Sequence, residues 1–272
     1  MNQTDLKIAQ NIMLDILRAI HKVCEENGIK YFLFAGSLIG AVRHNGFIPW
    51  DDDVDIGMLR PDYNKFCKVA QNALGNDYFL QNTKSDKGYA LFFSKVMKNN
   101  TKWIEGGTVT ANQQHHGIFV DVMPFDKVPA DEKSFGKFWN YYRIINYFTF
   151  VKYKYYQHNK SDKHTLMKLL LIKLLPKLFL VSYRNYLAQK YAKLNKNFLI
   201  TGLWDEVYKK LQPEPIYKEL VLHKFADNEF YIPKAYDAVL KKIYGNYMEL
   251  PPLEKRMTHE ILEYDFNSSG DI

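Results

Sequence analysis

The run Asp51-Asp52-Asp53-Val54-Asp55 places four carboxylates within five residues, between the apolar stretches Phe47-Ile48-Pro49-Trp50 and Val54-Ile56-Met58. Apolar flanks draw a segment into a core, whereas crowded like charges there raise one another's pKa or demand a counter-charge. A solvated acidic loop has no need of such flanks. A bound divalent cation supplies the missing charge, and hard Mg²⁺, with Mn²⁺ as the alternative, favours carboxylate oxygen. From Asp53 to Met58 acid and aliphatic residues alternate, which predicts a strand with Asp51, Asp53 and Asp55 on one face. These three are candidate metal ligands; for Asp51 the competing role is a turn residue or cap.

The neighbouring sequence supports a site rather than a loop. Residues 4 to 26 carry Ile8, Ile12, Ile16, Ile20 and Val23 at helical spacing, closed by Gly28. Tyr31-Phe32-Leu33-Phe34 reads as a buried strand, and Leu38 to Arg43 as one or two helical turns. Gly36-Ser37 therefore falls at a strand-to-helix junction, where free backbone N–H groups and a serine hydroxyl can hold a phosphate. Further on, Ile118 to Val122 predicts a strand that Pro124 stops, with Asp121 as its single acid. A lone carboxylate in an apolar strand is costly unless it is used, so Asp121 is a third candidate ligand beside Asp53 and Asp55.

Pro61 suits the first turn of a helix reaching about Ala73, residues 78 to 105 read as short strands with Ala90 to Val96 the clearest, and Gly106-Gly107 marks a turn. Residues 131 to 200 are helical in pattern, and the polar tail reads as disordered. The expected fold is α+β: a mixed sheet flanked by helices over residues 1–130, a basic helical region over 131–215, and a C-terminal segment over 216–272 that packs back on the core.

Other side chains are candidates on weaker grounds. Arg43, six residues past Ser37, offers a planar fork that matches phosphate. His44 beside it, and His115-His116 ahead of the third strand, are within plausible reach, although such histidines more often sit in solvated turns. Trp50 either stacks on a base or packs the core. Cys24 and Cys67 are the only cysteines and form no zinc pattern. The N-terminus has no signal-peptide character and no uncharged apolar stretch is long enough to span a bilayer, so a cytoplasmic protein is expected.

The net charge of +7 is uneven: residues 151–196 hold eleven Lys/Arg and one acid, a local +10, while the remaining 26 basic and 29 acidic residues give −3. Within that segment TLMKLLLIKLLPKLFLV (165–181) is apolar with interspersed lysines, and Pro176 breaks any helix there. Across 141–196 the mixture of Lys, Tyr and aliphatic residues fits an interfacial helix lying on an anionic leaflet, the inner face of the plasma membrane, or equally a core helix with snorkelling lysines. No recognition motif accompanies the charge, so no nucleic-acid partner is expected.

The stretch FAGSLIGAVRHNGFIPWDDDVDIGMLRPDYNKF resembles the signature region of the LicD family, within the nucleotidyltransferase superfamily and alongside fukutin-related proteins. GIFVDVMPFD and YGNYMELPPLEKRMTHE resemble the family's second and third conserved blocks, so the likeness runs from about residue 10 to 260, with 131–215 matching little beyond helical character. The resemblance implies a nucleotidyltransferase-like core whose Gly-Ser pair, Asp-x-Asp and third acid are Gly36-Ser37, Asp53 with Asp55, and Asp121. It implies transfer of phosphocholine, or a similar phospho-substituent, from CDP-choline or a related CDP-activated donor to a glycan, free or lipid-linked, of the cell surface. Under that reading Arg43 and Asp121 join Asp53 and Asp55 in catalysis, and Arg256 and His259 of the third block fold back on the donor. Transfer of the nucleotide itself, and a non-catalytic membrane- or RNA-binding role, are the competing functions. The gap from Ser37 to Asp53 is longer than the usual superfamily spacing but similar to LicD proteins, and the cysteine-rich metal module of some fukutin-related members is lacking.

Overall fold

The computed structural model describes residues 1–106, 115–155, 172–192, 199–201, 212–256 and 258–267. The fold is α+β, with a mixed sheet and helices packed on it. Helix α1 (Gln3–Asn27) is capped by the Asn2 side chain, which accepts from the Asp5 N–H, and ends on Gly28 in the left-handed region at φ 57°. Its buried stripe is Ala9, Met13, Ile16, Ile20 and Val23, so Ile16, Ile20 and Val23 of the expected repeat face the core, while Ile12 is partly buried and Ile8 is exposed.

Strand β1 (Phe32–Leu33) leads into α2 (Ala35–Ile39) and a π-helical turn at Gly40–His44. Strand β2 (Asp55–Leu59) runs straight into α3 (Arg60–Leu74), with Pro61 in its first turn as expected. Then come β3 (Tyr78–Gln81), β4 (Ser94–Lys98), β5 (Lys102–Glu105) and β6 (Phe119–Val128). Helices α4 (Glu132–Lys152) and α5 (Lys177–Gln189) pack together, followed by β7 (Leu199–Thr201) and β8 (Gln212–Pro213). The chain closes with the hairpin β9 (Leu220–Phe225) and β10 (Asn228–Pro233), α6 (Tyr236–Tyr244) and β11 (Ile261–Asp265).

The main sheet has the order β1-β2-β6-β4-β3, with β7 and β8 added beyond the end of β4. The β2–β6 pair is parallel and the other pairs are antiparallel. A Cβ on Gly57 would stand 2.4 Å from the Phe32 ring and 2.7 Å from that of Phe125, so only glycine lets these rings close over β2. One continuous core joins α1, the sheet, the β9–β10 hairpin and α6, and a smaller one lies between α4 and α5 around Phe138, Tyr142 and Leu187.

Four expectations need correction. The acidic strand begins at Asp55; Asp51 to Val54 are an irregular approach, and the Asp51 N–H closes a turn on the Ile48 carbonyl. Ala90 to Phe93 are not strand, because the buried Arg184 guanidinium donates to the Ala90 and Leu91 carbonyls at 2.6 and 3.0 Å. Pro124 does not stop β6. The Asp121 N–H points to β2, so the Pro124 nitrogen faces the other edge, where β4 pairing has ended at Val122 and β7 pairing starts at Asp126. The helical pattern to residue 200 gives way to β7, which pairs with Asp126 to Val128. Pro176 does break the helix, standing as the cap ahead of α5. Residues 156–171 of the basic segment, Gly107 of the predicted turn and the tail from 268 lie outside the described residues. Among the described residues no helix is long and apolar enough to cross a membrane.

Candidate active site

Sheet register brings the acids together. Asp55 on β2 pairs with Asp121 on β6, and Asp121 pairs on its other side with Lys95 on β4. Directly opposed residues share a face, so Asp55, Asp121 and Lys95 form a row across the sheet, with like charges adjacent. Asp53 enters from the loop, and all four line one cavity of about 280 Å³ with Phe93, Trp103, Glu105, Phe119, His116 and His259.

The loop is held from several sides. A Cβ on Gly36 would lie 2.8 Å from Asp51 Oδ2, so glycine there admits the carboxylate against the backbone. Ser37 Oγ, buried, accepts the Asp55 N–H at 2.9 Å, which fixes where β2 starts and leaves the hydroxyl proton free to donate. Gln10 on α1 donates to the Asp51 carbonyl at 2.9 Å. Asp52, only 1% exposed, accepts from the His259 backbone N–H at 2.9 Å and faces its Nδ1 at 2.8 Å. The C-terminal segment is thereby fastened over the cavity; β11 pairs with β5 and the Gly106 N–H bonds to the Glu260 carbonyl.

Burial makes these charges expensive. It is the first cause in every case, with mutual repulsion added, and it pushes Asp53 up to about 6, Asp121 to about 7 and Asp51 to about 8, with Asp55 held well above the carboxylate range. His259 moves up to about 9, chiefly through its hydrogen bond to Asp52. Lys95 Nζ lies 3.1 Å from Asp121 Oδ1, yet that oxygen has no aligned hydrogen bond among the described residues. The donor set is thus all oxygen, largely withdrawn from solvent and short of positive charge, which fits a hard divalent cation in its chemistry. Among the described residues no three His, Cys, Asp or Glu side chains stand close enough together to hold a metal ion as placed, so the fit is one of chemistry and not of geometry.

The other candidates divide. Arg43 donates from Nη1 to the Tyr247 and Glu249 carbonyls at 2.6 and 3.2 Å and from Nε to His44 at 2.9 Å, so one arm of its fork holds the C-terminal segment. Arg256 lies 5.0 Å over the Trp50 ring, whose edge His44 approaches; Trp50 is partly buried and packs on the core. These four form a clasp outside the acid cavity. Burial, then Arg256, lowers Arg43; burial, then Arg43, lowers His44. The histidine pair splits: His115 stacks on Phe79 and bonds Asn99, with burial lowering its pKa, while His116 lines the cavity.

Sequence reasoning missed Lys95 and Glu105, and it placed Asp52 in the acidic run without its tie to His259. Lys95 had a readable signal, since a lone lysine in LFFSKVM repeats the anomaly of Asp121 in GIFVDVM, with the charge reversed.

Comparison with known proteins places the chain in a family. The lipopolysaccharide cholinephosphotransferase LicD of Haemophilus influenzae is 29% identical over 270 residues, covering 97% of this chain and 98% of that protein. The ribitol 5-phosphate transferase FKRP of Homo sapiens is 49% identical over 56 residues, 21% of this chain and 11% of that protein. An uncharacterized protein of Rickettsia typhi is 35% identical over 72 residues, 26% of this chain and 23% of that protein. The family described as LicD/FKTN/FKRP, nucleotidyltransferase domain, matches residues 28–166, which hold Asp53, Asp55, Lys95 and Asp121 and make up half of the chain, and this protein belongs to that family.

Proposed function

We propose that this LicD-like phosphotransferase moves phosphocholine, or a similar phospho-substituent, from a CDP-activated donor to a hydroxyl of a cell-surface glycan or its lipid-linked precursor. The observation that carries this reading is the convergence of Asp53, Asp55 and Asp121 in one buried cavity, set by the register of β2 on β6. Near-full-length similarity to a cholinephosphotransferase supports the transferred group.

Asp53, Asp55 and Asp121 would hold Mg²⁺, or Mn²⁺, with Asp51 in an outer position. When bound, the cation supplies positive charge against the donor phosphate and lowers the barrier to leaving-group departure. The chain's own residues do the rest. The acceptor oxygen attacks the phosphorus in line, the new O–P bond forms, the P–O bond to the nucleotide breaks, and CMP leaves. The hydroxyl proton goes to a carboxylate of the row, Asp121 being the candidate acceptor. Ser37 has a free hydroxyl proton for a phosphate oxygen. Phe93, Phe119 and Trp103 wall the cavity and exclude water. The exposed Leu178, Phe179, Tyr183 and Tyr186 of α5, beside Lys177 and Lys190, support a peripheral position on an anionic inner leaflet.

The test is release of CMP from CDP-choline with Mg²⁺, with and without a glycan acceptor. The expected result is acceptor-dependent CMP that falls by at least about a thousandfold in Asp53→Ala and Asp55→Ala. Pyrophosphate release from a nucleoside triphosphate instead would mean that the nucleotide itself is transferred.

A further inference from the structure

The acid row contains a cation of its own. Lys95 is only 8% exposed, and its Nζ lies 3.1 Å from Asp121, 4.0 Å from Glu105, 3.1 Å from the centroid of the Phe119 ring and 5.8 Å from that of Phe93. Asp53, Asp55, His259 and Glu260 line the same cavity. A lone buried ammonium is as costly as a lone buried carboxylate, and here each offsets the other. The ion pair is close, but Asp121 Oδ1 gains no aligned hydrogen bond from it. The ammonium rests on ring faces and nearby charge rather than on a fixed fork of acceptors, so the tie to Asp121 can be exchanged.

We propose that Lys95 is a placeholder cation: it compensates the carboxylate row in the metal-free protein, yields Asp121 to the divalent ion, and is then free to pair with the donor's phosphate. The inference rests on the metal-dependent transferase reading. Lys95 and a divalent ion seek the same oxygens, and like charges that close repel strongly where little water screens them. The ion therefore gains its site only as the ammonium retreats. The phosphate is the anion that enters the cavity with the donor, and an ammonium on a flexible four-carbon stem can follow it.

The experiment is Mn²⁺ titration of the full chain without donor, read as the electron paramagnetic resonance signal of free Mn²⁺, for wild type, Lys95→Met and Lys95→Arg. Met keeps the unbranched apolar stem on Phe119, and Arg keeps the charge. The expected result is Mn²⁺ binding about tenfold tighter in Lys95→Met, with Lys95→Arg within about threefold of wild type. At saturating Mn²⁺, CDP-choline should bind about tenfold more weakly to Lys95→Met in equilibrium dialysis. Unchanged or weaker Mn²⁺ binding in Lys95→Met, tightening in Lys95→Arg equal to that in Lys95→Met, or no Mn²⁺ binding in any form would overturn the placeholder role. Unchanged donor affinity would overturn the handover to phosphate. An active CMP-releasing enzyme with the wrong Mn²⁺ order sinks this inference alone; the right order without turnover on any CDP donor sinks the transferase reading alone.

Discussion

Asp121 and Asp126 stand on the same strand, both buried, and their surroundings differ in kind. Asp126 is 1% exposed, and both its oxygens accept from Arg60, at 2.6 Å from Nε and 2.5 Å from the terminal nitrogen. Arg60 in turn lies over the Tyr63 ring. That pair is complete: two parallel charge-assisted bonds between one acid and one base. Asp121 has Asp55 on one side, Lys95 on the other, Asp53 close by, and an oxygen left without an aligned bond. A fold that can satisfy one aspartate so fully has left the other open to a ligand. Buried charge by itself does not mark a site; unfinished compensation in a cavity does.

The contrast breaks most sharply under substitution. Asp126→Ala leaves the Arg60 guanidinium buried without its partner and should cost about 3–5 kcal/mol of stability. Asp121→Asn relieves repulsion in the acid row but also takes the nearest anion from the buried Lys95 ammonium, two effects of opposite sign, so it should cost clearly less than Asp126→Ala. Urea unfolding in EDTA measures both. Equal losses in the two variants would mean that Asp121 is a structural ion-pair partner like Asp126, and the functional reading of the row would fail.

Much of this contrast is legible in the sequence, and the rest is hidden for physical reasons. Four acids between apolar flanks announce a buried charged loop, and one acid in GIFVDVM announces another charge in a core strand. That Asp55 and Asp121 meet is a matter of parallel register, which no local pattern states. The tie between Asp52 and His259 joins residues 207 apart, so its existence depends on the whole chain's path. Arg184 reads as one more cation of a basic segment, yet it is fully buried and holds the carbonyls of Ala90 and Leu91 that an apolar run would otherwise offer to a strand. Arg43 has the right chemistry for phosphate, but its partners are carbonyls of a segment two hundred residues later.

The same contrast has a pH signature. A carboxyl group whose pKa is higher folded than unfolded binds its proton more tightly in the native state. Its contribution to stability is complete below the unfolded value of about 3.9 and is lost as pH rises through the folded value. With Asp53 near 6, Asp121 near 7 and Asp51 near 8, that loss falls between about pH 4 and 8. The melting temperature of EDTA-treated protein should therefore fall as pH is raised from about 5 to 8, and Mg²⁺ should flatten the curve by favouring the ionised row. Asp121→Asn should shrink the fall. A flat profile in EDTA would show that the row is already compensated without a divalent ion.

The smallest effect belongs to the tie between Asp52 and His259, where an acid of the same loop has found a partner of its own. His259 is raised to about 9, first by its hydrogen bond to Asp52, so its contribution is complete below about 6.5 and disappears as pH rises through 9. Its side chain is 59% exposed, and solvent screening keeps the worth of the charge below about 1 kcal/mol. His259→Gln should therefore be slightly less stable than wild type at about pH 6, with the gap closing by about pH 10, as read from urea midpoints at each pH. Because Asp52 also accepts the His259 backbone N–H, the glutamine variant keeps that part of the tie. A gap that persists unchanged above pH 9 would assign the tie to imidazole packing and hydrogen-bond shape rather than to its charge. Asp52 would then resemble Asp126, a carboxylate held by geometry, and Asp53, Asp55 and Asp121 would remain as the unfinished part of the loop and row.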